Sequence, residues 1–169
     1  AHKARGGGGH LIWLGIHWLD LAVYITGSRI TQVAGFAANV GGQPIDVEDS
    51  AAVVLRFASG TFGTLTSGYY LDRGKHLFLK FWGSHGWLEI NHDHPDNPLE
   101  WYSSKEEKPA VRRYLPQSAG GYGPWVRHVV RAAAGLEAPV LTADESLHAL
   151  NAVFAAYRAA ESGRAQVVR

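Results

Sequence analysis

Two histidines and an aspartate interrupt an otherwise apolar stretch, GGGGHLIWLGIHWLDLAVYITG, between Gly6 and Gly27. Imidazole titrates near neutrality, so it can take and return a proton at physiological pH. A carboxylate one helical turn away can orient such a ring. If the stretch is a helix, a rotation of about 100° per residue gathers His10, Trp13, His17, Asp20 and Tyr24 into an arc of about 80°. Leu11, Leu14, Trp18, Leu21 and Ile25 form the stripe beside them, and the other positions are apolar or small. A helix that is apolar nearly all round is expected to be buried. Its polar stripe must then pair internally or face a wet cleft, because unpaired polar groups are costly to bury. The cleft reading makes His17 a candidate acid–base and Asp20 its supporting partner. His10 and Trp13 would line the pocket. Tyr69 and Tyr70 end a strand where a sheet edge could meet that pocket, and Tyr70 is taken as a substrate contact. The competing reading is packing alone, with a hydrogen-bonded core histidine and a core tryptophan.

Two other patterns carry less. His92-Asp93-His94-Pro95-Asp96 sets imidazoles at i and i+2, which share a strand face and could reach one ion. The surrounding proline and asparagine mark an exposed turn, and no distant pair of ligands stands out, so no metal site is expected. The glycines at 6 to 9 have no strand before them and no Gly-Lys-Ser/Thr after them. Residues 1–9 therefore read as a flexible or substrate-covering loop, or a linker, and not as a phosphate cradle.

The elements that must position these groups follow in order. Gly27 is the stop of the opening helix. Strands are expected at 29–40, at 47–57 with Ala51, Val53, Leu55 and Phe57 on one face, and at 61–70. Further strands are expected at 76–82, 87–90, 99–103 and 111–115, with a possible edge strand at 166–168. Pro124 opens a helix that runs to Gly135. Thr142-Ala143-Asp144-Glu145 is a capping-box pattern and opens another, with Leu147, Leu150, Phe154 and Tyr157 on one face and its end at Ser162-Gly163. Strands joined by short turns imply an α+β fold: a largely antiparallel, open-faced sheet with helices on one face, occupying residues 10–169 as a single domain. The other face would carry Phe78, Lys80 and Trp82 beside His76, an apolar patch suited to pairing with a second copy.

With 169 residues and a formal charge of +1, the chain has neither the size for several large domains nor a field that recruits nucleic acid or anionic membrane. No uninterrupted apolar run reaches membrane-span length. Cysteine is absent, which excludes disulfides and thiol chemistry. Methionine is absent too, and the chain opens Ala1-His2-Lys3-Ala4-Arg5. It reads as a fragment entered mid-sequence, so an upstream export signal would be invisible; the expected location is the cytoplasm.

The motifs in order resemble the Gfo/Idh/MocA family, the glucose–fructose oxidoreductase and inositol dehydrogenase relatives. GGG followed by W-x-G-I-H-W-x-D resembles the substrate-side helix of that family. Val47-Glu48-Asp49-Ser50 with Arg56-Phe57-Ala58-Ser59-Gly60-Thr61 is similar to its "EDS…F.nG" hairpin, Trp82-Gly83-Ser84-His85-Gly86-Trp87-Leu88 to its "G..G.L" turn, and 142–163 to its terminal helix. The resemblance implies the C-terminal, substrate-binding and oligomerisation half of an NAD(P)-dependent oxidoreductase acting on a sugar, polyol or related hydroxyl compound. It implies NAD or NADP bound mainly by a Rossmann domain outside this chain, with no cofactor-binding residue here. It also implies that His17 exchanges a proton with the substrate hydroxyl, with Asp20 as the second aspartate of Asp-x-Gly-x-His-x-x-Asp. Trp13 stands where the first aspartate belongs. Glu107-Lys108-Pro109 matches the family's Glu-Lys-Pro tripeptide only by coincidence, in the wrong domain. The alternative is a non-catalytic ligand-binding or dimerisation module that kept the fold, which Trp13 favours and the His17–Asp20 pair opposes. A metal-dependent hydrolase is a distant third.

Overall fold

A computed structural model describes residues 3–69, 77–92, 94, 98–114 and 122–169. The elements in chain order are α1 (Lys3–Gly6), a π-helical turn (Leu11–Gly15), α2 (Ile16–Thr26), β1 (Ile30–Ala38), β2 (Ser50–Phe57), β3 (Phe62–Gly68), β4 (Phe78–Gly83), β5 (Gly86–Asn91), β6 (Leu99–Ser103), β7 (Val111–Tyr114), α3 (Tyr122–Ala133), α4 (Ala143–Ser162) and β8 (Gln166–Val167). The class is α+β, and every strand pairing is antiparallel. The strands form two four-stranded sheets, ordered β3-β2-β1-β8 and β4-β5-β6-β7, where the sequence suggested one. The break falls between β3 and β4, the link that is too long for a tight hairpin to impose a register. The chain accordingly divides into two compact units, residues 1–71 with 140–169, and residues 72–139.

In the first unit the period-2 pattern of β2 holds. Ala51, Val53, Leu55 and Phe57 are buried, together with Ile30 and Val33 of β1. α4 packs over β1. The face it buries is not the expected Leu147, Leu150, Phe154 and Tyr157 but His148, Ala149, Ala152, Val153, Ala155, Ala156 and Ala159. Alanines bring the helix backbone close to the sheet, and the bulky side chains are displaced to its flanks. The ends follow local rules. Thr142 Oγ1 accepts from Glu145 N (3.2 Å), and Glu145 Oε2 accepts from Thr142 N (2.8 Å). Gly27 and Gly163 close α2 and α4 in the left-handed conformation, at φ 60° and 64°.

The buried His148 accepts the Ile30 amide on Nε2 at 3.1 Å. Burial, reinforced by the Arg29 charge and opposed by Asp144, lowers its pKa below the usual 6.5. The unfolded chain therefore binds this proton more readily. The stability contribution is complete above pH 6.5 and is lost as pH falls below it. The thermal midpoint should drop between pH 7.5 and 5.5. His148→Gln keeps an acceptor without titrating, so it should reduce that dependence, leaving the part due to His10, which burial shifts the same way. Identical slopes in both proteins would refute the assignment.

The opposite face of the first sheet carries exposed Phe36, Val54 and Phe62. In the second unit none of the described residues is buried. Lys80, Glu89, Glu100 and Arg113 line up across β4 to β7. Lys80 Nζ meets Glu89 Oε2 at 2.8 Å, and Arg113 Nε meets Glu100 Oε1 at 2.6 Å. The Lys80 ammonium lies 4.9 Å from the Trp87 ring centroid and 5.7 Å from that of Trp82. The expected arrangement of aromatics around a lysine is therefore present on β4, where Phe78 and Trp82 are exposed; His76 lies outside the described residues. Among the described residues no group of three metal-ligating side chains exists. Glu107-Lys108-Pro109 sits on the exposed link between β6 and β7.

Candidate active site

The helix that carries the candidate residues is built from the outside inward by Glu48. This side chain is only 8% exposed. Its Oε2 accepts the Gly9 amide at 2.7 Å, and its Oε1 accepts both the Leu11 amide and the Tyr157 hydroxyl at 2.9 Å. The carboxylate thus takes two amides at the start of the helical segment, where backbone donors lack partners and negative charge is favoured. Burial, and then the Glu48 charge, push the Tyr157 hydroxyl well above its ordinary pKa, so it stays a donor.

Two of the leading glycines are required by this closeness. A Cβ on Gly8 would lie 2.0 Å from the Tyr157 hydroxyl oxygen, and one on Gly9 would lie 1.8 Å from the Glu48 carbonyl oxygen. Within the stretch expected to be a loop or linker, Lys3–Gly6 form a helical turn, and Gly8 and Gly9 are buried. A phosphate cradle is excluded by the same contacts: the Gly9 amide is spent on a carboxylate, which would repel an anion. The glycine run therefore does not fit a dinucleotide pyrophosphate. Next to Glu48, Asp49 is fully buried and receives the Val40 and Gly41 amides at 3.0 Å each, fastening the loop after β1.

The first helical turn is not α. The Ile16 amide donates to the Leu11 carbonyl, an i→i−5 bond. Such a turn takes up one extra residue, so residues before it are rotated by about 100° relative to those after it. The single stripe expected of His10, Trp13, His17, Asp20 and Tyr24 is consequently broken. His10 turns inward, half-buried, with Nδ1 hydrogen-bonded to Ser67 Oγ and its ring edge-on to Tyr69 at 4.6 Å. Burial lowers its pKa, partly offset by the Glu48 charge. Trp13, His17 and Tyr24 remain together on the exposed side, with Trp13 60% and Tyr24 71% accessible. The helix is not buried all round: its inward line is Leu11, Gly15, Leu19 and Ala22. Gly15 is needed there, because a Cβ would stand 2.8 Å from Leu11 and 3.3 Å from Ser67 Oγ.

Asp20 is half-buried between His17 and the start of α4. Burial raises its pKa, the Glu145 charge raises it further, and the charge of His17 opposes both. Among the described residues the two side chains interact electrostatically without a hydrogen bond. Asp20 therefore meets His17 through charge alone and does not fix its tautomer. Tyr70 lies outside the described residues. Glu48, Ser67 and Tyr157 were not singled out from the sequence as site-building residues, although the Glu-Asp-Ser motif that contains Glu48 was visible. A cavity of about 390 Å³ opens beside Gly8, Glu48 and Tyr157, but neither Trp13 nor His17 lines it.

A family model described as the GFO/IDH/MocA C-terminal domain matches residues 1–89. The chain belongs to the GFO/IDH/MocA family. Solved structures share the fold over nearly the whole chain. An aldose–aldose oxidoreductase from Caulobacter crescentus, complexed with glycerol, is 27% identical, with a TM-score of 0.80 over 98% of this chain and 49% of its own. An oxidoreductase domain protein from Kribbella flavida is 23% identical, with a TM-score of 0.84 over 99% of this chain and 52% of its own. A levoglucosan dehydrogenase solved with NADH and L-sorbose is 20% identical, with a TM-score of 0.82 over 99% and 52%. The GFO/IDH/MocA domain described here thus spans about half the length of the solved structures it matches. No curated protein matches it.

Proposed function

We propose that this chain is the substrate-binding half of an NAD(P)-dependent oxidoreductase acting on a sugar, a polyol or a related hydroxyl compound. The observation that carries the reading is His17, exposed beside Asp20 on a GFO/IDH/MocA helix whose start is locked by Glu48. The nicotinamide, held outside this chain, supplies the redox chemistry. This chain supplies the proton relay and the walls. His17 takes the hydroxyl proton as the substrate carbon is oxidised, and the Asp20 charge stabilises the imidazolium that results. Trp13 contributes a pocket wall, while His10, turned inward onto Ser67 and Tyr69, supports the helix start. Relatives solved with glycerol and with NADH and L-sorbose support both the substrate class and the cofactor. The reading is tested by following reduction of NAD and NADP spectrophotometrically in the intact enzyme with a panel of sugars and polyols. Turnover that survives His17→Ala unchanged would defeat it.

The open sheet faces support self-association. Phe36, at 78% exposed, and Phe62 lie on the first sheet and Trp82, at 76%, on the second, and soluble monomers seldom leave large apolar patches in water. A second copy applied by a two-fold axis closes such a face. Light scattering on the purified chain is expected to give at least a dimer; a mass near 18.4 kDa across the micromolar range would rule this out.

A further inference from the structure

Trp13 departs from the family pattern at the position next to the proton relay, and its surroundings show what it can do there. It stands four residues before His17, and both side chains are on the exposed side of the helix. The indole leans toward the Gly6 backbone, where a Cβ would lie 3.8 Å from Nε1. Among the described residues nothing hydrogen-bonds Nε1–H or stacks on the ring. The ring therefore presents a flat apolar face and an unused donor on the same exposed side of the helix as the imidazole.

We propose that Trp13 is a stacking platform that selects ring-form sugars over open-chain polyols, in the same pocket where His17 handles the reacting hydroxyl. This rests on the substrate-binding reading above. A pyranose in its chair form presents a patch of axial C–H groups on one face and hydroxyls around its rim. The C–H patch covers the indole, and the desolvated ring contact favours binding as aromatic contacts do. A rim hydroxyl accepts the Nε1 proton, and a neighbouring one meets His17. An open-chain polyol cannot present a flat C–H face without ordering several torsions, so it gains little from the platform. An aspartate at this position would bind hydroxyls of either kind, because it recognises only the oxygen. The tryptophan thus exchanges a general hydroxyl contact for recognition of ring shape.

The intact enzyme is compared with Trp13→Phe and Trp13→Ala on D-glucose, myo-inositol and D-glucitol. Trp13→Ala should raise KM for the two cyclic compounds about ten-fold, several-fold more than for D-glucitol, with a smaller effect on kcat. Trp13→Phe keeps a ring and should recover most of the loss. Saturation transfer from indole protons to the ring C–H protons of D-glucose, lost in Trp13→Phe, gives a readout that needs no turnover. If the wild-type enzyme reduces no cofactor but this transfer is seen, the dehydrogenase reading fails and the platform stands. Equal losses for cyclic and linear compounds, a rise in the NAD(P) KM alone, or absence of transfer with all three probes would overturn the platform.

Discussion

Glu48→Ala is expected to destabilise the first unit by about 3 kcal/mol or more, a large share of the 5–15 kcal/mol that holds a domain together. The substitution removes three hydrogen bonds to one carboxylate, from the Gly9 amide, the Leu11 amide and the Tyr157 hydroxyl. Bonds to a charged acceptor contribute about 1.5–3 kcal/mol each, and a buried donor left without a partner adds its own desolvation cost. The 390 Å³ cavity alongside admits water, which limits the loss to less than the sum of three bonds. Glu48→Gln keeps the acceptor that serves Leu11 and Tyr157 but can turn an NH₂ toward the Gly9 amide, so an intermediate loss of about 1–3 kcal/mol is expected. Urea denaturation of the three proteins checks this. A loss below about 1 kcal/mol in Glu48→Ala would show that water replaces the carboxylate and that the helix start does not depend on it.

His17→Ala should lower turnover of the intact enzyme by about 10² to 10⁴, the range expected when a positioned acid–base is removed. The exposed imidazole is not needed for packing, so the melting temperature should change little. Cofactor affinity should also hold, because the glycine run of this chain does not fit a pyrophosphate. Asp20→Asn should cost less. It removes a charge that stabilises the imidazolium, and it removes an acid whose pKa is raised by burial and by Glu145. Any acid-limb inflection due to Asp20 should vanish from the rate profile of that variant, whereas His17→Ala abolishes the profile as a whole. Initial rates against pH for the three proteins decide it. Equal, small losses in both variants would assign the pair to surface electrostatics.

The sequence alone determined whatever depends on neighbours along the chain. Alternation in β2 placed Ala51, Val53, Leu55 and Phe57 on one face, and they are buried together. Thr142 with Glu145, and the terminal glycines 27 and 163, marked helix ends that the structure closes as expected. The ordered motifs were enough to indicate the family, since each is a local turn or cap that residue type reports directly. Tertiary structure decided the rest. The stripe through His10 and His17 assumed an α-helical period, and one π turn, accommodated by Gly15 against Ser67, rotated His10 out of line. Glycines 8 and 9 read as flexible because no local signal shows that Tyr157 and Glu48 press against them. The buried face of α4 was misjudged for the same reason: hydrophobicity favours Leu147 and Phe154, but the distance between helix and sheet selects alanine. Contacts between residues far apart in sequence set these distances, and no periodicity in the chain encodes them.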